Sequence, residues 1–435
     1  MIELPGKYTT AYIMTDDIEG ECVSQIYGFI NHPAFTNHVA IMPDTHAGKG
    51  SVIGFTMPLT PKVIPNVIGV DIGCGVTAVN MGHIDIDYAD LDMMIRNKIP
   101  LGFDIHKRPV IDFKHDFDWK TANRVGHHFR VQYASLYDSV LEPVIYDYAW
   151  FTDLCKFIGA KVASVEASIG TLGGGNHFIE VGVDGNDNKW LIVHTGSRNF
   201  GLKIANTYQG LAIKTVTEER DRLYRERMEY IKTECARTSI GDEITKLKRE
   251  LGDAIPNDLT YLKDQNALDY YHAMIFAQQY AKMNRDVIIG RILTGIPDAT
   301  IINRIESVHN FIDFDDMIIR KGAIRSRDED EVIIPFNMRD GSLIGIGKGN
   351  AEWNYSAPHG AGRIMSRSAA KKKLSMDVYR AQMEGIFSTS VCRDTLDEAP
   401  DAYKNAQSII DAIAPTVEIV SRIRPVYNLK ASKPE

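Results

Sequence analysis

Short apolar runs broken by glycines mark the first part of the chain, as in VIGFTMPL (52–59) and VIGVDIGCGVTAV (67–79). Runs of this length with such punctuation predict buried strands joined by functional turns. Residues 155–200 repeat that texture, and TLGGGNHFIEV and WLIVHTGSRNFG each set a histidine beside glycines. From Glu218 to Leu251 the pattern becomes EERDRLYRERMEYIKTECARTSIGDEITKLKREL, which predicts a solvated helical pair. Residues 258–292 continue as helix, with apolar positions spaced for a packed face. After Asn303 the glycine-rich, strand-like texture returns. A last helical stretch is predicted over Pro400–Ile423, leading to a tail, RPVYNLK. The expected fold class is α+β: a single large domain over 1–435 with mixed sheets, and a charged helical insertion at about 216–262.

Composition narrows this picture. Charged residues are 24% and hydrophobic ones 44%, the usual balance of a soluble globular protein. No apolar run reaches the roughly 18 residues of a membrane span, and the start lacks a basic segment followed by an apolar one. Five cysteines are scattered without a CxxC pair, which argues against a disulfide framework or zinc ribbon and suits a reducing cytosol. A cytoplasmic protein with no membrane partner is expected. The net charge of −8 excludes wholesale coating of nucleic acid but leaves room for a local basic groove. Arg363, Arg367, Lys371, Lys372, Lys373 and Arg380 are the candidates for one.

Chemistry concentrates in a few motifs. YSAPHGAGRIMSR (355–367) sets His359 between Pro358 and Gly360, with Arg363 and Arg367 beyond. Small neighbours let a bulky ligand approach the imidazole, and guanidinium forks match phosphate oxygens. GVDIGCG carries Asp71 and Cys74; GGGNHFIEV carries Asn176, His177 and Glu180; VHTGSRNFG carries His194 and Arg198; SVHNFID carries His309. A lone buried cysteine or histidine is more often structural than a ligand. Together, three histidines, a cysteine and an aspartate supply donors for one or two divalent ions, and a thiolate can bridge two. There is no GxxxxGK[ST], HExxH or GxSxG, and no KxDG of lysine-based nucleotidyl transfer. Histidine remains as the nucleophile for nucleotide chemistry.

These motifs resemble the RtcB RNA ligases. MPDTHAGKGSVIG (42–54), VIGVDIGCG, GGGNHF with Glu180, HTGSR, HNF, RKGAIRS, GKGN and HGAGR with a following SR occur in the family's order, and Lys430 stands near the end. The chain departs from many members at PFNMRDGS (335–342), where they carry a PGSMG-like loop. The resemblance implies a GTP-dependent, manganese-dependent ligase with a buried di-metal site. It would join RNA 3′-phosphate or 2′,3′-cyclic phosphate ends to 5′-hydroxyl ends, in tRNA splicing or RNA repair. Carried over by motif, Asp71, Cys74 and His177 hold one Mn2+, and Cys74, His194 and His309 the other; zinc can occupy the same donors. His359 is the residue guanylylated. Asn176, His177, Phe178, Glu180, Asn310, Pro335, Asn337, Ser342, Gly360, Ala361, Gly362, Tyr403 and Lys430 line the GTP site. Arg198, Arg363 and Arg367 are expected on RNA or nucleotide phosphates, and an archease-type activator is an expected partner.

Residue chemistry points the same way, since a neutral imidazole, with an unperturbed pKa of about 6.5, is a competent nucleophile at cellular pH. A two-metal phosphohydrolase is the main rival, but it leaves HGAGR and Lys430 unexplained. A non-catalytic, metal-stabilised RNA-binding protein descended from a ligase is the third reading, and the presence of every ligand and of His359 weighs against it.

Overall fold

The computed structural model describes residues 1–235, 239–251 and 255–432. Its glycine-punctuated runs form two large sheets and a small ribbon. One sheet has seven strands in the order Glu331–Asn337, Gly341–Gly347, Val417–Leu429, Phe178–Val183, Lys189–Thr195, Gly75–Asn80 and Asn303–Val308, every ladder antiparallel. Its central strands are buried on both faces, so they read as continuous apolar runs rather than as alternation. Val79, Ile179, Val181, Leu191 and Val193 pack under Ile288, Ile289 and Ile292 of the helix Asp264–Leu293. The opposite face carries Val76, Ala78 and Ile192, which meet Ile333, Ile344 and Ile423 from the far end of the same sheet. The sheet thus curls until its edge strands approach, where Ile333 N–H donates to Ser307 Oγ at 3.0 Å. Because side chains alternate along a strand, Glu180 projects to the inside of this curl, between Ile179 and Val181 facing the helix.

The second sheet runs Ile2–Pro5, Thr10–Ile13, Val39–His46, Ile53–Pro58, Ile318–Lys321 and Asn310–Asp313. Only Thr10–Ile13 with Val39–His46 is parallel among its pairs. Ile41, Phe55, Ile312 and Ile319 pack against Ile275 and Phe276, so the helix Asp264–Leu293 lies between the two sheets. A two-stranded ribbon, Ala323–Arg325 with Ser356–Pro358, delivers the chain to His359. Helices and mixed sheets together make the fold α+β, as expected.

Three boundaries differ from the expectation. Pro400–Ile423 is not one helix: a helix covers only Ala406–Ala412, and Val417–Leu429 is a strand that absorbs the supposed tail. Its β-branched residues (Val417, Ile419, Val420, Ile423, Val426) suit a pleated surface, and pairing with Phe178–Val183 on one side and Gly341–Gly347 on the other decides the matter. Residues 148–167 hold two helices, Tyr148–Phe157 and Val162–Ala167, before the strand texture begins. The apolar start of VIGVDIGCG closes the short helix Pro65–Ile68, with proline at its first turn, and Asp71 and Cys74 follow in a loop.

The charged stretch lies on the far part of the 37-residue helix Arg198–Glu234 and on Ile240–Leu251. Beyond Ala212 that long helix buries only Ile231, so its outer part is solvated. Among the described residues, no helix is long and apolar enough to cross a membrane, and the five cysteines are free.

Candidate active site

Four separate elements deliver the candidate ligands to one point. Asp71 and Cys74 come from the loop before Gly75–Asn80, His177 from the turn before Phe178–Val183, His194 from Lys189–Thr195, and His309 from the link between two strands. Cys74 Sγ lies 3.5 Å from His177 Nε2 and 3.3 Å from His194 Nε2. His194 Nε2 faces His309 Nε2 at 3.3 Å, and His177 Nε2 faces Asp71 Oδ2 at 2.8 Å. Two donor groups result, Asp71–Cys74–His177 and Cys74–His194–His309, and Cys74 belongs to both. Arg285 underpins them: its buried Nη1 donates to the Gly73 carbonyl at 2.8 Å and to the Thr195 carbonyl at 3.1 Å, tying the loop that carries Cys74 to the strand that carries His194.

The donor set fits divalent cations. His177 Nδ1–H donates to the Leu172 carbonyl at 2.8 Å and His194 Nδ1–H to the Asn176 carbonyl at 3.1 Å. Carbonyls only accept, so each ring carries a proton on Nδ1, and the His194 ring, kept neutral by burial, turns an Nε2 lone pair inward. For His194 that lone pair has Cys74 Sγ and another imidazole as neighbours, an arrangement that a cation between them satisfies. Burial, reinforced by the neighbouring imidazoles, keeps His194 and His309 well below the usual histidine range, hence neutral. Burial also pushes the Cys74 thiol well up, with the Asp71 charge adding to it, and a bound cation would reverse that. Burial acts against ionisation of Asp71, but hydrogen bonding and charge from His177 hold its carboxyl below the ordinary value.

His359 stands beside this cluster, its ring centroid 4.9 Å from that of His309. Its Nδ1 lies 2.6 Å from Oδ2 of Asp44, a fully buried carboxylate on Val39–His46. A carboxylate oxygen accepts, so Nδ1–H donates to Asp44 and Nε2 is the ring nitrogen left for other chemistry. The glycines that follow are required by packing. Gly362 has φ +74°, and a Cβ there would sit 2.2 Å from the Asp44 carbonyl oxygen; one at Gly360 would sit 2.7 Å from that of Pro335. The loop is therefore pressed onto the strand that carries Asp44.

His359, His194 and His309 open into a cleft of about 590 Å³, a volume suited to a nucleotide. At its inner end Glu180 accepts from Asn428 Nδ2 at 2.8 Å through one oxygen, while the other is buried without a partner. Burial raises its pKa to about 8, against the pull of Asn428 and Lys430. An unpartnered carboxyl oxygen aimed into a cleft suits a ligand with N–H donors, such as guanine. Glu398 is the opposite case. It accepts from Arg363 at 3.1 Å, Arg367 at 2.7 Å, Tyr403 Oη at 2.6 Å and Lys430 Nζ at 2.9 Å. Burial disfavours its charge, yet Lys430 and Arg367 hold its pKa at about 2.

The family model described as tRNA-splicing ligase RtcB matches residues 25–431. The chain belongs to the RtcB family. RNA-splicing ligase RtcB of Escherichia coli (strain K12) is 29% identical over 95% of each chain. RNA-splicing ligase RtcB1 of a second Escherichia coli strain is 30% identical over the same shares. tRNA-splicing ligase RtcB of Nanoarchaeum equitans is 26% identical over 92% of this chain and 89% of its own.

Of the residues that the RtcB resemblance assigns to GTP, Asn176, Phe178, Glu180, Asn310, Pro335, Asn337, Gly360, Ala361, Gly362, Tyr403 and Lys430 line the cleft. Ser342 and His177 do not; Ser342 is fully buried, paired with Pro335 across the ladder, and its hydroxyl has no partner. The divergent PFNMRDGS segment is a tight hairpin in which Asn337 Oδ1 accepts from the amides of Arg339 and Asp340. The three arginines are already engaged. Arg363 and Arg367 are held by Glu398 and by Asp397, and Arg198 donates to the Gly102 carbonyl at 2.6 Å and to Thr171 Oγ1. Sequence reasoning missed Asp44, Arg285, Glu398 and Asn428. The available signal was a charged or amide side chain inside an otherwise apolar run, as in AIMPDTH for Asp44.

Proposed function

We propose that this RtcB-family protein is an RNA ligase that uses GTP and two manganese ions to join a 3′-phosphate or 2′,3′-cyclic phosphate end to a 5′-hydroxyl end. The observation that carries the reading is the placing of His359, its Nδ1 held by Asp44, in one cleft with His194 and His309 of the cation-holding set. Asp71, Cys74, His177, His194 and His309 would hold the ions, which neutralise phosphate charge and orient phosphoryl oxygens. His359 Nε2 attacks the α-phosphorus of GTP, the α–β bond breaks, and pyrophosphate leaves. Asp44 keeps the other ring proton on Nδ1 and stabilises the positive charge that the ring gains. An oxygen of the RNA 3′-phosphate then displaces the imidazole from the guanylate. The 5′-hydroxyl oxygen attacks the phosphorus of the former 3′-phosphate, releases GMP and loses its proton to solvent. Two covalent steps replace one with a poor leaving group.

Glu180, through its unpartnered Oε1, and Lys430 supply an acceptor–donor pair for a guanine edge, and Tyr403 a flanking ring. RNA repair or tRNA splicing in the cytoplasm and an archease-type activator belong to the same reading. To test it, the protein is incubated with α-labelled GTP and manganese. A phosphoramidate label, acid-labile and alkali-stable, is expected, and His359→Ala should abolish it while still sealing RNA that already bears a 3′-guanylylated end. Label that persists in His359→Ala would mean another nucleophile. Release of inorganic phosphate from 3′-phosphate RNA without GTP would favour a phosphohydrolase.

A further inference from the structure

Lys430 is fixed at both its main chain and its side chain. Ser390, fully buried, accepts from the Lys430 amide through Oγ at 3.0 Å and donates to the Lys430 carbonyl at 3.0 Å. The Lys430 side chain is buried as well. Its ammonium donates to Glu398 Oε2 at 2.9 Å and to the Asn176 carbonyl at 3.4 Å, and lies 5.4 Å from the centre of the Phe178 ring. An ammonium has three N–H groups, so one remains for a ligand in the cleft that Lys430 lines. Asn428, two residues earlier, holds one oxygen of Glu180 and leaves the other unpartnered. A free donor and a free acceptor thus share the lining of one cleft.

The two oxygens of Glu398 divide the groups around them. Oε2 takes Lys430 Nζ and, at 2.6 Å, Tyr403 Oη; Oε1 takes Arg363 at 3.1 Å and Arg367 at 2.7 Å. The carboxylate is buried at the end of the short helical turn Arg393–Glu398. Of the contacts to the Lys430 ammonium, only this one pairs opposite charges, and such hydrogen bonds are about twice as strong as neutral ones. Glu398 therefore decides where the ammonium sits. Guanine presents O6, an acceptor, where adenine presents an amine donor. A fixed ammonium matches the first and opposes the second. On this basis, and resting on the ligase reading above, we propose that Glu398 is a positioning residue for base selection: it holds Lys430 where its free N–H meets O6, and so sets a preference for GTP over ATP.

The test measures equilibrium binding of GTP, ITP and ATP to the full-length protein with manganese, together with labelling from α-labelled GTP. Glu398→Gln loses the charge and turns an NH2 group toward donors on one side or the other. It should raise Kd for GTP and for ITP, which share O6, by about 10- to 100-fold, the range of a hydrogen bond to a charged group. Kd for ATP should not rise with them, so the preference for GTP collapses. Glu398→Asp keeps the charge on which three cations lean but withdraws the carboxylate by one methylene, and it should lower the preference as well. In a Lys430→Met background, where the donor is already gone, adding Glu398→Gln should leave the GTP:ATP ratio of Kd values where it stands. An unchanged ratio in either Glu398 variant, with manganese still bound, overturns the proposal. So do equal rises for GTP and ATP, a rise for GTP without one for ITP, or a further change in the Lys430→Met background. A preference for GTP that depends on Glu398, in a protein that takes no label and joins no ends, leaves the positioning role standing and sinks the ligase reading instead.

Discussion

At the scale of single residues, the site depends on pairs that are remote in sequence. Asp44 and His359 are 315 positions apart and 2.6 Å apart in space. Asp44→Asn should keep the fold but present the wrong ring tautomer, lowering the rate of GTP labelling on the order of 10²–10⁴-fold, as loss of an orienting carboxylate does elsewhere. Labelling at the unmodified rate would show that Asp44 does not orient the ring. Cys74, shared by both donor groups, makes a complementary case. Cys74→Ala should lose both manganese ions in equilibrium dialysis, and His194→Ala mainly one; full stoichiometry in Cys74→Ala would end the bridging assignment.

Glu180 makes a prediction about pH. Its pKa, raised by burial from 4.5 to about 8, lets the native state hold a proton that the unfolded chain has already released. Over that window stability falls as pH rises, whereas below about 4.5 both states are protonated and the contribution is flat. Glu180→Gln should therefore flatten the pH dependence of urea unfolding between pH 5 and 8, and equal slopes in the two proteins would refute the assignment. The donors of the metal set were legible because each stood beside glycine or in a polar turn. Asp44 and Glu398 were not, since nothing local distinguishes a carboxylate that will meet a distant cation or imidazole from one that will face water.

Secondary-structure elements show where local pattern stops deciding. Val417–Leu429 was expected to be helix and tail, yet it is a strand between two others. Glu418, Ile419 and Val420 in succession are exposed, whereas Tyr427, Asn428 and Leu429 in succession are buried, so no single period describes it. The loop after His359 gives the corresponding test. Gly362→Ala would place a methyl 2.2 Å from the Asp44 carbonyl oxygen at a positive φ. Overpacking of that kind costs about 1–3 kcal/mol. A drop in Tm together with a loss of GTP labelling is expected, because the displaced strand carries Asp44; an unshifted Tm with full labelling would show that the contact is not needed.

Across the whole molecule, net charge is a poor guide to partners. The chain carries −8 overall, yet the helix Arg367–Lys373 beside the cleft exposes Lys371, Lys372 and Lys373 in succession, with Lys371 leaning on Asp397 at 3.4 Å. Reversing the three charges should weaken RNA binding and flatten its dependence on salt, since fewer counterions are released, while GTP labelling survives. Unchanged affinity at low salt would mark this helix as an ordinary solvated face.

What the sequence by itself determined was the family and the α+β class, and it singled out the clustered donors, His359 and its glycines as the residues to examine. These follow from short-range constraints, because a thiolate, an imidazole or a close-packed glycine announces itself through its immediate neighbours. Only the tertiary structure decided how they are wired. The curl of the seven-stranded sheet turns Glu180 inward, and burial then shifts its pKa. Antiparallel pairing sets His177, His194 and Cys74 around one point. The packing of one sheet beside the other brings Asp44 under His359. The contacts of Cys74 with His177 and His194 and of Asp44 with His359 join positions more than a hundred residues apart, and burial and electrostatic coupling of that range belong to the folded chain, not to any segment of it.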